Sequence, residues 1–262
     1  MKNPQHILIT GASSGIGQAM ALHYAAPAVR LYITGRNQDR LDNVADLCSK
    51  KGAIVQAQVI NVTDAIAMAD WITSIETLNL VIANAGISGG TGGRQDGEPI
   101  EEARQIFDVN INGVLNTVEP ALKKMRTDKT RAAKIEKGQI AIVSSLAGFR
   151  GWPSSPAYSA SKGCVRFYGE AMRGALKDSN IHINVICPGF VTSRITDAND
   201  FPMPFKMSAE KAAKIIAKGL AQNKGRICFP WPMYFICWLI GILPDCLAQK
   251  LLSKTPHKDP ST

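Results

Sequence analysis

The sequence predicts a doubly wound α/β fold. Three observations carry this expectation. Apolar strand-like runs alternate with helix-like stretches from end to end. The strand-like runs are almost continuously apolar, as in strands covered on both faces. A glycine-rich turn joins the first strand to the first helix.

The elements follow in order. Residues 7–10 form a short apolar strand ending at Gly11, and a helix spans about 15–26. A strand at 31–34 precedes a helix at 38–50, and the branched run 54–60 is the third strand. A helix at 64–75 is assigned Thr63 as its cap, and 78–83 is a strand. A single long helix is expected over 99–126, then a strand at 139–144 and a second long helix at 155–177. Strand 181–187 stops at Pro188, helix 208–222 follows, and 226–229 is a last short strand. Seven such strands make a mostly parallel, seven-stranded sheet with helices on both faces. No repeat or linker divides the chain. Residues 1–229 are read as one dinucleotide-binding and catalytic domain, and 230–262 as an apolar extension of it with a polar tail. The glycine-rich residues 88–97 read as a loop.

With 262 residues, 45% of them hydrophobic and 19% charged, the chain can bury a sizeable core, which argues against disorder. The net charge of +9 suits anionic partners. Part of it is local: Lys123, Lys124, Arg126, Lys129, Arg131, Lys134 and Lys137 share one stretch, read as a solvated helix end and loop. No nucleic-acid motif accompanies it, and nucleic-acid binding is not expected. The six cysteines form no C-x-x-C pair and cluster with no histidine. They read as reduced thiols of an intracellular protein, with no metal site. The N-terminal apolar run is too short for a signal peptide.

The turn Thr10-Gly11-Ala12-Ser13-Ser14-Gly15-Ile16-Gly17 has the spacing G-x-x-x-G-x-G. Glycines there permit a tight turn and close approach, and a helix N-terminus offers free N–H groups to a pyrophosphate. At the end of the second strand, no acid occupies Thr34, Gly35 or Arg36. A carboxylate there would favour a free ribose 2′-hydroxyl; an arginine accommodates a 2′-phosphate. Arg36 therefore points to NADP(H) over NAD(H).

Tyr158 and Lys162 are four apart on a predicted helix and so share a face. An ammonium beside a phenol, with a positively charged oxidised nicotinamide, lowers the phenol pKa and fits it for general acid–base work. Alone, Tyr-x-x-x-Lys is a weak signal. It gains weight because Ser144-Ser145, Asn84-Ala85-Gly86 and Pro188-Gly189 also end predicted strands, on the edge where this fold binds ligand.

Together with Asn110 in Val109-Asn110-Ile111-Asn112-Gly113, Tyr158-Ser159-Ala160-Ser161-Lys162 and Pro188-Gly189-Phe190-Val191-Thr192, these motifs resemble the short-chain dehydrogenase/reductase family over about residues 5–229. The resemblance implies a Rossmann-like fold and hydride transfer between NADP(H) and a carbonyl or secondary alcohol. By it, Tyr158 is the acid/base, Lys162 lowers its pKa and holds the nicotinamide ribose, and Ser145 bonds the substrate oxygen. Asn110 supports a water linking Lys162 to solvent. Gly11, Ser13, Ser14, Gly15, Ile16, Gly17, Arg36, Asn61, Val62, Asn84, Ala85, Gly86, Pro188, Gly189, Val191 and Thr192 border the cofactor, Thr192 at the carboxamide. Asn61 replaces the family's usual aspartate, and Ser14 stands where many NADP-using members carry a base.

The resemblance also implies a homodimer or homotetramer built from the helices near 99–126 and 155–177. Substrate choice is assigned to residues 88–97 and to the apolar segment 193–207, read as a small lid. The apolar stretch 230–243 is too short and proline-rich to span a bilayer. Packing on a partner subunit, a flap over the substrate and a peripheral membrane contact all remain open for it. Localisation is expected to be cytoplasmic, with the membrane surface left open by that segment. The rival readings of the whole chain are a non-catalytic dinucleotide sensor and a membrane-surface protein.

Overall fold

Each central strand is apolar on both sides, so it must be covered twice. The computed structural model, which describes residues 3–93, 97–127, 138–197, 201–253 and 258, shows how. Strands β1 (His6–Thr10), β2 (Arg30–Gly35), β3 (Ile54–Val59), β4 (Leu80–Ala83), β5 (Gly138–Val143), β6 (Ile181–Pro188) and β7 (Arg226–Phe229) form one seven-stranded sheet in the order β3-β2-β1-β4-β5-β6-β7. All six pairings are parallel.

Alternation along β1 divides the core. Ile7 and Ile9 join one apolar cluster with Leu31, Ile33 and Met20, while Leu8 joins a second with Tyr32, Met68 and Ile140. All three β1 side chains are fully buried, each stabilising the fold by about 1.5–3 kcal/mol. Helices α1 (Gly15–Tyr24), α2 (Gln38–Lys50) and α8 (Ala209–Ala221) cover the first face. Helices α3 (Ala65–Ser74), α5 (Gly113–Thr127) and α6 (Pro156–Ala175) cover the second.

Two local expectations change. The cap of α3 is Asp64, whose carboxylate accepts from the Ala67 N–H at 3.0 Å, and not Thr63. The expected single helix over 99–126 comprises α4 (Ile100–Phe107), a π-turn (Asp108–Asn112) and α5. The wider turn puts Val109 and Asn110 into the interior side by side. The apolar stretch after β7 is helical: α9 (Trp231–Ile242) is followed by α10 (Asp245–Leu252). Cys237 of α9 packs with Leu146, Val185 and Cys187 in a third cluster, joined by Met233 and Tyr234. A short helix α7 (Arg194–Asp197) follows β6. Lys123 and Arg126 are exposed at the end of α5, Lys124 donates to the Thr73 carbonyl at 3.2 Å, and Lys129, Arg131, Lys134 and Lys137 lie outside the described residues.

Candidate active site

Strand β1 is flanked by β2 on one side and β4 on the other, so successive crossovers leave it in opposite directions. Such a switch point opens a crevice at the carboxyl ends of the strands. A cleft of about 410 Å³ lies there, lined by residues that follow β1, β2, β3, β4, β5 and β6.

Its floor is the glycine turn. Gly11 and Gly15 have φ of +65° and +54°, which a side chain resists. At Gly17 an added Cβ would overlap the Gly11 carbonyl and the Asn84 amide, so its small size keeps α1 close to the turn. Ser14 caps α1 in extended conformation, and its side chain makes no capping bond. The first turn of α1 thus presents its N–H groups to the cleft, which fits a pyrophosphate. Asn84 braces the turn, its amide donating to the carbonyls of Thr10 (2.9 Å) and Gly11 (3.2 Å).

At the end of β2, Arg36 lines the cleft, together with Arg40 one helical turn further on. Asn61 and Val62 form the adjoining wall. Among the described residues, five cations line the cleft, namely Arg36, Arg40, Lys162, Arg194 and Lys258, and no carboxylate does. That balance favours a polyanionic ligand.

The reactive end is assembled by close packing. Gly148 belongs to a 3₁₀ turn (Leu146–Phe149) after β5, and a Cβ there would stand 2.7 Å from the backbone of Lys162. Ser144 Oγ donates to the Lys162 carbonyl at 2.7 Å. Arg166 donates to the Gly148 carbonyl at 3.1 Å and stacks on Phe149 at 4.5 Å. These contacts hold the end of β5 on α6 and bring the Ser145 hydroxyl to Tyr158. Lys162 is buried, donates to the Val143 carbonyl at 3.1 Å, and lies 5.8 Å from the Tyr158 ring centre.

Burial raises the Tyr158 pKa in the chain alone, and the Ser145 hydrogen bond opposes that. Lys162 is itself desolvated, which pushes its pKa down to about 8. Asn110 is wholly buried behind the wall. Its amide donates to the Ile87 carbonyl (2.9 Å) and Ser161 Oγ (3.0 Å) and accepts from the Ile87 N–H (2.9 Å). It braces the loop after β4 against α6.

The cleft brings together Gly11, Ser13, Ser14, Gly15, Ile16, Arg36, Asn61, Val62, Asn84, Ala85, Gly86, Ser145, Tyr158, Lys162, Pro188, Gly189 and Val191. Gly17 and Asn110 support it from behind. Thr192 departs from expectation: it is exposed, and its hydroxyl donates to the Met207 carbonyl at 3.2 Å. Val191 pairs with Met207 in a bridge, and extended alternation turns Thr192 outward while Val191 and Ser193 face the cleft.

Three contributors escaped the sequence reading. Arg40 carries a signal, four residues after Arg36. Glu98 accepts from the Ala157 N–H at 2.8 Å, capping the helix that bears Tyr158. Lys258 enters the cleft from the C-terminal tail. Of the expected lid, Phe201 packs edge-on to Phe190 at 6.0 Å; residues 198–200 and, in the other loop, 94–96 lie outside the described residues.

Fold and site together define a nucleotide-binding oxidoreductase. The chain matches the short chain dehydrogenase family over residues 5–201. It is 35% identical over 244 residues to an uncharacterized oxidoreductase of Myxococcus xanthus, covering 92% of this chain and 93% of that one. Among solved structures, it resembles a short chain dehydrogenase/reductase from Burkholderia phymatum in complex with NAD (TM-score 0.79, 21% identity, 98% of each chain). It likewise resembles a short-chain dehydrogenase from Sphingobium yanoikuyae in complex with NADPH (TM-score 0.75, 21% identity, 98% of each chain). This protein belongs to the short chain dehydrogenase family.

Proposed function

We propose that the protein interconverts a carbonyl compound and its secondary alcohol with NADP(H) in preference to NAD(H), and that Tyr158 is the general acid/base. The observation that carries this reading is the contact of Ser145 with Tyr158, beside buried Lys162, in a cleft whose described lining holds five cations and no carboxylate. When bound, a nicotinamide dinucleotide supplies or accepts the hydride.

The chain's own residues do the rest. The N-terminus of α1 binds the pyrophosphate, and Arg36 and Arg40 hold the 2′-phosphate. Ser145 donates to the substrate oxygen and fixes it at the Tyr158 hydroxyl. In reduction, the raised pKa of Tyr158 keeps its proton in place until the oxygen develops negative charge, and the hydroxyl then delivers it. The Lys162 ammonium holds the ribose hydroxyls and stabilises the phenolate left behind. Asn110 keeps the loop after β4 on α6 and supports a water through which Lys162 regains contact with solvent.

Parallel titrations with NADPH and NADH, followed by a carbonyl and alcohol panel with the preferred cofactor, test the proposal. Tighter NADPH binding and turnover lost in Tyr158→Phe are expected. Tighter NADH binding would remove the phosphate role of the two arginines. Cofactor binding without turnover of any panel member would favour a sensor.

A second reading attaches to α9 and α10. Trp231 is 74% exposed and Ile242 60%, and Phe235, Ile236, Leu239, Leu247 and Leu251 are also exposed on these helices. No helix among the described residues is long and apolar enough to cross a membrane. A face of this kind on a basic protein fits peripheral contact with an anionic lipid surface. Sedimentation with phosphatidylserine vesicles is expected to carry the protein down, and absence of binding removes this reading. The oligomer is proposed to form across α5 and α6, where Phe167 is 62% exposed; light scattering after size exclusion measures it.

A further inference from the structure

Lys258 is far from the site in sequence and inside it in the fold. Its carbonyl accepts from the Gly92 N–H at 2.7 Å, and an added Cβ on Gly90 would overlap that carbonyl. The Lys258 backbone is therefore seated on the loop that follows β4. From there the side chain reaches Ser88 and Tyr158. The ammonium donates to Ser88 Oγ at 2.5 Å and stands 5.4 Å from the Tyr158 ring centre.

The position of this charge is not explained by a dinucleotide. The anionic groups of such a ligand fall to the α1 N-terminus and to Arg36 and Arg40 beyond β2. Lys162 donates to the Val143 carbonyl at the end of β5. Lys258 is at the reactive end, where no phosphate is expected. Ser88 is its hydrogen-bond partner, a neutral hydroxyl, and the ion pairs of the described residues do not include it. Glu102 acts on it through space, yet burial still holds its pKa down at about 8. A desolvated cation without a bonded anion is costly, and a ligand that brings the anion relieves the cost.

We infer that Lys258 is a specificity-determining residue that receives a carboxylate on the substrate, so the compound this site takes is a short oxo acid or the corresponding hydroxy acid. This rests on the reading of Tyr158 as the acid/base. With the reacting oxygen at Ser145 and Tyr158, a carboxylate on Lys258 and Ser88 lies only a few bonds away, because the ammonium stands over the ring of that same tyrosine.

The test uses the full chain with its preferred cofactor and two matched pairs, acetoacetate with ethyl acetoacetate and levulinate with methyl levulinate. The wild type is expected to prefer the acids. In Lys258→Met the ratio of kcat/KM for acid over ester falls by about 10- to 100-fold, mainly through KM, as for loss of one charge-assisted hydrogen bond. Lys258→Glu reverses the preference. Gly90→Ala keeps the charge but displaces its seat, and lowers the ratio as well. Calorimetric titration of levulinate into the wild type saturated with the oxidised cofactor reads the same contact without turnover, and Lys258→Met weakens it. Equal effects on acid and ester, or no binding of levulinate by the wild type, overturn the inference while leaving Tyr158 as it stands. Levulinate binding that depends on Lys258, with no reduction of any compound, supports the inference and counts against Tyr158.

Discussion

Replacing Lys162 by methionine should make the cofactor-free protein more stable and nearly inactive. Lys162 is 4% exposed and its pKa is lowered from 10.5 to about 8, chiefly by desolvation. At pH 7 the folded state therefore carries an ammonium disfavoured by about 3 kcal/mol relative to the unfolded chain. Methionine fills nearly the same space without charge. It leaves the Val143 carbonyl without the lysine's 3.1 Å hydrogen bond, a cost of about 1–2 kcal/mol. The net expectation is a gain of about 1–2 kcal/mol, with a melting point raised roughly 2–4 °C per kcal/mol for a chain of this size.

The sign with pH follows from the lowered pKa. A buried lysine of this kind costs stability fully below pH about 8, and the cost fades as pH rises from there to 10.5, where the unfolded lysine also loses its proton. The advantage of Lys162→Met should thus shrink by about 2 kcal/mol between pH 7 and pH 9.5. Urea denaturation of both proteins without cofactor at the two pH values measures it. A variant less stable than the wild type at pH 7, or a difference that ignores pH, refutes the reasoning. Turnover should meanwhile fall by about 100-fold or more, the scale of an acid–base contribution.

Tyr158→Phe should abolish turnover while leaving cofactor affinity within about threefold, because the phenol adds little to dinucleotide binding; fluorescence titration and a rate assay separate the two. The double variant Arg36→Ala, Arg40→Ala should weaken NADPH binding by about 10- to 100-fold and NADH binding much less, as expected for charge-assisted bonds to one phosphate. Glu98→Ala should cost about 1 kcal/mol in denaturation by removing the cap on Ala157, and lower kcat more than it changes cofactor affinity. Gly148→Ala should lower kcat by forcing the 3₁₀ turn away from the Lys162 backbone, 2.7 Å from the added methyl group, with rates on a carbonyl panel as the readout.

The central strands were legible because parallel strands buried on both faces must be apolar throughout, as in Ile7-Leu8-Ile9, whereas the exposed edge strand β3 was legible from its branched residues. Side-chain periodicity does not encode a slip in backbone hydrogen bonding, so the π-turn at Asp108–Asn112 read as ordinary helix. Of Thr63 and Asp64, both good caps, only backbone geometry chooses. Tyr158, Lys162 and Ser145 were legible from spacing and strand ends. Thr192 was misplaced because its outward turn depends on the bridge of Val191 to Met207, 16 residues further along the chain. Lys258 left no local signal: its partner Ser88 is 170 residues distant, and a lone lysine in a polar tail looks like any other.

The two buried lysines show how the site balances stability against chemistry. Both ammonium groups are held near pKa 8 by desolvation, in a cleft whose described lining holds no carboxylate. A fold selected for stability alone would place apolar side chains at both positions. The same cost makes each lysine a binding determinant, since an anion or a phenolate arriving beside it recovers part of the desolvation energy. Lys162 recovers it when Tyr158 gives up its proton, which ties the lysine to the transition state. Lys258 recovers it when a carboxylate enters, which ties that lysine to substrate choice. Stability measured with and without a bound carboxylate should therefore diverge most below pH 8, where Lys258 keeps its charge, and converge as the pH rises past it.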